Sequence, residues 1–201
     1  YPATPIVLDH TKLNATKTAF SLFRDYSDCK FADDLTISDG ILDTLEALVI
    51  CIDGWYKTAT LKAIEEFAAR GGLLIGTGLE TLRDLDENRD WLPLLFSKAR
   101  IDAGKAILFE DNISIGLESS AIPDRFMVSI ASDEIKRRQK SVFDPLTKFL
   151  AQNDIFISDG VIDGIYTAKR RDGILIMNYS GKDSEKEITL PNGKKVSLML
   201  A

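Results

Sequence analysis

The chain has little of the equipment that most catalytic or metal-binding proteins carry. There is one histidine, His10, and there are two cysteines, Cys29 and Cys51, in 201 residues. Two cysteines make no disulfide framework, and with a single histidine and no Cys-x-x-Cys pair a structural zinc site is not expected. No glycine–serine or glycine–cysteine nucleophile elbow occurs. The nearest stretch, Gly116 to Ser120, lacks the second glycine. Gly76-Thr77-Gly78 lacks the third glycine of a dinucleotide-binding turn and reads as a tight turn onto the next element. No cofactor is therefore expected.

Basic runs are equally scarce. The longest are Lys136-Arg137-Arg138 and Lys169-Arg170-Arg171, against a net charge of −6, which disfavours nucleic acid as a partner. No apolar run approaches the roughly 20 residues that span a bilayer, so no membrane partner is expected. The first residues, Tyr1-Pro2, carry no signal peptide and read as the start of a mature or excised segment.

What is present is hydrophobic patterning: 45% of residues are hydrophobic and 28% charged, the balance of a globular protein. Leu48–Gly78 reads as strand, loop, helix, Gly-Gly stop and strand, one βαβ unit of a parallel sheet. Ala47–Ile52 is a continuous apolar run suited to a strand buried on both faces. A helix is expected from about Thr58 to Arg70, with Leu61, Ile64, Phe67 and Ala68 on one stripe and Lys62, Glu65, Glu66 and Arg70 opposite. Gly71-Gly72 ends it, and Leu73–Gly76 and Lys105–Phe109 are further strands. Pro5–Leu8 reads as a first strand, followed by a helix after Asn14. Lys30–Leu42 reads as a loop or short edge strand, and Leu79–Phe96 as helix in pieces. Ser132–Gln152 is helical, interrupted before Pro145.

From Asp154 the period changes. Gly164–Arg170, Ile174–Asn178, Lys186–Leu190 and Lys194–Leu200 are β-type runs, and Asp172-Gly173 and Asn192-Gly193 between them are hairpin signals. The expected organisation is an α/β domain over 1–153 and a small antiparallel β domain over 154–201.

In open parallel sheets ligands sit beyond the carboxyl ends of the strands. The residues expected there are Asp9, His10, Asp53, Trp55, Tyr56, Glu110 and Asp111. Trp55 and Tyr56 with nearby carboxylates could hold a carbohydrate, because an indole stacks on a pyranose face while carboxylates accept from hydroxyls. The alternative is that the aromatic pair covers the sheet edge or meets another chain or domain, since aromatics are enriched at interface cores. Carboxylates at strand ends can form a glycosidase pair, but the same residues are common as caps and solvated loop groups.

The run Glu46–Gly78 resembles the domain that follows the catalytic barrel in family 42 β-galactosidases and related glycoside hydrolases. Gly104 to Phe109 looks like a later strand of the same domain, with Ala106 in place of a glycine. Asp163–Leu200, with Asp172 to Ser180 and Leu190-Pro-Asn-Gly193, resembles the small β-sandwich that ends many such enzymes. The resemblance implies a flavodoxin-like, class I glutamine-amidotransferase-like parallel sheet. It also implies a role in trimer formation, an upstream catalytic domain on the same polypeptide, and no catalytic residue in this segment. The amidotransferase cysteine has no counterpart here. An amidotransferase-like or DJ-1-like hydrolase with a degenerate motif, and a small sugar-binding module, are the rival expectations.

Overall fold

The computed structural model describes residues 29–110, 144–155, 165–170, 173–178, 181–189 and 195–200. Pro5–Leu8, the helix after Asn14, Asp9, His10 and Asp111 lie outside the described residues.

The protein is mixed α/β. Three parallel strands, β1 (Ala47–Ile50), β3 (Leu73–Thr77) and β5 (Ala106–Phe109), form a sheet in the order β1-β3-β5. A second, two-stranded parallel ribbon joins β2 (Gly54–Tyr56) to β4 (Leu82–Asp84). Between β2 and β3 runs α2 (Thr58–Ala69); the short helices α3 (Leu92–Leu95) and α4 (Lys98–Asp102) lead into β5. Ahead of β1 lie α1 (Asp34–Ser38) and a 3-10 turn, Ile41–Thr44.

The strand period of two sorts side chains onto opposite faces of the sheet. Leu48, Ile50, Leu74 and Ala106 face Leu61, Ile64 and Phe67 of α2, together with Trp91, Leu95 and Phe96. Leu73 and Ile75, with Ala47, Val49, Ile107 and Phe109, face Leu146, Phe149 and Leu150 of α5, the helix over 144–151. Helices thus cover both faces, which is why the strands are nearly continuous apolar runs rather than alternating ones. Each fully buried leucine contributes about 1.5–3 kcal/mol of transfer free energy.

The βαβ unit forms as the sequence predicts. α2 ends in a Schellman motif: the Gly72 N–H reaches the Phe67 carbonyl at 3.0 Å and the Gly71 N–H the Ala68 carbonyl at 3.2 Å. Gly71 takes a φ of +98°, open to glycine at no steric cost.

Three segments differ from expectation. The stretch between β1 and α2, expected as a loop, carries the strand β2. Lys30–Leu42 is not a loop or strand but carries α1, nucleated by a reciprocal cap: Asp33 accepts from the Thr36 N–H, and Thr36 accepts from the Asp33 N–H. In Leu79–Phe96, residues 82–84 are strand rather than helix. Leu79, Leu82 and Leu85 are spaced as a helix stripe would be, but the backbone of 82–84 finds its partners in β2, a non-local pairing that outweighs local pattern. Pro93 sits in the first turn of α3, as expected of a proline near a helix start.

Beyond the sheet, β6 (Ile165–Arg170) pairs antiparallel with β7 (Gly173–Asn178), and β8 (Ser184–Thr189) with β9 (Lys195–Leu200). Gly173, expected in the turn, is instead the first residue of β7 and pairs with Arg170.

Candidate functional site

The carboxyl ends of the parallel strands carry the candidate residues that the structure describes. Asp53, Trp55 and Tyr56 follow β1, and Glu110 follows β5. Glu110 is exposed and Asp53 is partly buried. The aromatic pair is split. Because neighbours on a strand point to opposite faces, Tyr56 turns inward and packs against the core, while Trp55 turns outward and is 42% exposed. The Tyr56 hydroxyl donates to the Ile52 carbonyl. Burial drives its pKa well above the usual phenol value, and electrostatic repulsion from the neighbouring Cys51, Asp53 and Asp34 adds to the shift. Tyr56 therefore stays a neutral donor and braces the β1–β2 bend.

Asp34 is buried at the same end. Its carboxylate meets the Lys57 ammonium at 3.2 Å and accepts from the Thr60 hydroxyl at 3.3 Å, tying α1 to the start of α2. Such a pair holds because a buried carboxylate must be met by a cation and donors.

The end of β4 carries Asp84, which sequence reading did not single out. Its side chain is fully buried. One oxygen accepts from the backbone N–H groups of Asp86 (3.1 Å) and Glu87, the other from the Trp91 indole at 2.9 Å. The Glu87 N–H first, and the Trp91 indole next, hold the carboxyl below the usual carboxylate range. Asp90 acts alongside, accepting from the Leu82 and Leu92 N–H groups, each at 3.0 Å. The signal available in the sequence was the run of acidic residues at 84, 86 and 90 beside a tryptophan, which marks a loop that caps itself.

Among the described residues no group of three or more His, Cys, Asp or Glu side chains is placed to hold a metal. Likewise, no helix there is long and apolar enough to cross a membrane. A cleft of about 380 Å³ lies at the other, amino end of the sheet, lined by Leu45, Phe67, Arg70, Lys105, Asn153 and Ile155. Its cations are already engaged, Arg70 with Asp43 at 2.7 Å and Lys105 with Asn153 at 2.9 Å.

The carboxylates of Asp34, Asp84 and Asp90 bond within the fold, and the side chains on the outward face of the ribbon are Trp55 and Arg83. In comparisons with family models, curated proteins and solved structures, the chain matches none.

Proposed function

We propose that this chain is a non-catalytic accessory region of a carbohydrate-active glycoside hydrolase, serving oligomerisation or the support of a neighbouring active site. In this reading the α/β part is a flavodoxin-like, amidotransferase-like unit, residues 154–201 are a small antiparallel β domain, and the catalytic groups reside in an upstream domain of the same polypeptide. The observation that carries the reading is the state of the carboxyl edge. Asp84, Asp34 and Tyr56 are spent on hydrogen bonds within the fold, while Trp55 and Leu85 are 42% and 41% exposed. Rigid exposed aromatics are what contact surfaces use.

The test is an assay of the 201-residue chain against a panel of aryl glycosides, including galactosides. No turnover is expected. Turnover that vanishes in Glu110→Ala or Asp111→Ala overturns the reading.

A further inference from the structure

The outward face of the β2–β4 ribbon holds an arginine whose carboxylate-binding fork is open. Trp55 and Arg83 are register partners, so their side chains lie side by side. Arg83 Nη1 donates to the Asn88 side-chain oxygen at 2.9 Å and, more weakly, to the Asn88 carbonyl at 3.4 Å. Asn88 meets it twice because its backbone turns through a φ of +56°, a left-handed conformation that asparagine tolerates. The guanidinium is thus fixed through one nitrogen, and among the described residues nothing pairs with Nε or Nη2. Those two nitrogens present the parallel N–H groups that meet both oxygens of a carboxylate.

Arg83 stands apart from the other arginines whose side chains are described. Arg70 pairs with Asp43, Arg100 with Glu65, and Arg89 lies over the Trp91 ring. The nearest carboxylate along the ladder, Asp90, bridges to Arg83 by backbone but spends its side chain on the Leu82 and Leu92 N–H groups. Trp55 is open in the same way: Gly54 before it has no side chain, and Tyr56 after it turns inward.

We propose that this face binds a hexuronate, the acidic sugar of a carboxylated glycan, with its pyranose ring on the Trp55 indole and its carboxylate in the Nε/Nη2 fork of Arg83. The inference rests on the carbohydrate-active reading above and names the class of sugar. An indole takes the C–H face of a pyranose, and an open guanidinium fork takes a carboxylate. A hexuronate carries its carboxylate directly on the ring. Ring and charge are therefore about one strand spacing apart, roughly 4.8 Å, as neighbouring residues of β2 and β4 are. An acidic peptide has no ring on the residue that bears its carboxylate, and a neutral sugar leaves the fork unfilled. Asn88 orients the guanidinium before any ligand arrives, which lowers the ordering cost of binding. Its own amide N–H groups add donors beside the fork for ring hydroxyls. One ring and one ion pair on an open face bind weakly, with a Kd on the order of 1 mM for a single sugar.

The indole N–H signals of the 15N-labelled 201-residue chain report on the site, because the protein has two tryptophans and Trp91 is buried against Asp84. Methyl glycosides of glucuronate and galacturonate should move the Trp55 signal and leave that of Trp91 in place, with Trp55→Phe giving the assignment. The matching neutral glucoside and galactoside should bind at least about tenfold more weakly. Arg83→Gln, with unchanged circular dichroism, should erase the preference for the acid. Arg83→Lys keeps the charge, loses the fork, and should still weaken uronate binding at least about threefold. A Trp55 signal that neither uronate moves at about 50 mM overturns the proposal, as does equal binding of acidic and neutral sugars. So does an acid preference that both Arg83 variants leave intact. A glutamate-rich peptide that binds as tightly as the uronates overturns it in favour of a protein partner. In each of these cases the accessory reading stands, with another role for this face. Turnover of aryl glycosides is the separate result that removes that reading.

Discussion

The Trp91 indole N–H donates to the buried Asp84 carboxylate at 2.9 Å, across seven residues of chain. This bond joins the end of β4 to the start of α3, and with the two backbone donors it closes residues 84–91 into one ordered loop. The loop in turn presents Leu85 beside Tyr56, whose carbonyl accepts the Leu85 N–H. The geometry of the exposed ribbon therefore depends on a carboxylate that solvent does not reach.

Asp84→Asn should lower the thermal midpoint by several degrees, because a neutral amide oxygen accepts less strongly and its NH2 meets donors. The pH dependence has a definite sign. Its folded pKa lies below the ordinary value of 3.8, so the stabilisation is fully present above about pH 4 and is lost as pH falls through the folded value. Urea midpoints measured from pH 7 to pH 2 should fall less steeply in Asp84→Asn than in the parent chain. Equal slopes would show that another group governs the acid limb.

Tyr56 sets a limb at the alkaline end. A phenol whose folded pKa is raised keeps its proton above pH 10, where the unfolded chain releases it. Stability contributed by Tyr56 should therefore decline as pH rises past about 10. Tyr56→Phe should cost about 0.5–1.5 kcal/mol at neutral pH by losing the bond to the Ile52 carbonyl, and should flatten the alkaline decline. Ultraviolet titration is the check: one tyrosine absorbance step should be missing until the protein unfolds.

Gly76 is a point of close approach within β3. A Cβ there would lie 2.6 Å from Leu108 and 2.8 Å from the Phe96 ring. Gly76→Ala should destabilise by about 1–3 kcal/mol through overpacking. Because Leu108 is the register partner of Gly76, the double variant Gly76→Ala, Leu108→Ala should be less unstable than the sum of the two single changes. Additive costs in chemical denaturation would mean that the strands separate rather than clash.

The two faces of the sheet can be probed separately. Leu61→Ala on α2 and Leu146→Ala on α5 each remove a side chain with no exposure and should each cost about 2–5 kcal/mol. If α5 packs as described, both variants should unfold in one cooperative transition at a lower denaturant midpoint. Loss of α5 alone, seen as an early partial transition in Leu146→Ala, would mark that face as separable.

Legibility in the sequence followed how local the cause was. α2 was readable because its apolar stripe, Leu61, Ile64 and Phe67, and its Gly71-Gly72 stop are all set within one stretch of chain. The runs that form β6 to β9 were readable from their own β-type composition for the same reason. α1 went unread because Asp33 and Thr36 look like turn residues until their reciprocal cap is seen. β2 and β4 went unread because three residues carry no period, and each is a strand only by virtue of the other. At the candidate site, Trp55 and Tyr56 were visible as residues, but nothing local says that one faces the core and the other the solvent.

By itself the sequence determined the α/β body, with strand runs apolar enough to be covered on both faces, and the change to hairpins after Asp154. Periodicity and turn chemistry are properties of consecutive residues, so they can be read without a fold. Tertiary structure alone decided which charged and aromatic groups became structural. Asp84 is an ordinary loop aspartate in the sequence and a fully buried acceptor in the protein, since Trp91 and two backbone N–H groups converge on it. Trp55 is exposed because its neighbour's hydroxyl found the Ile52 carbonyl and fixed the phase of the strand.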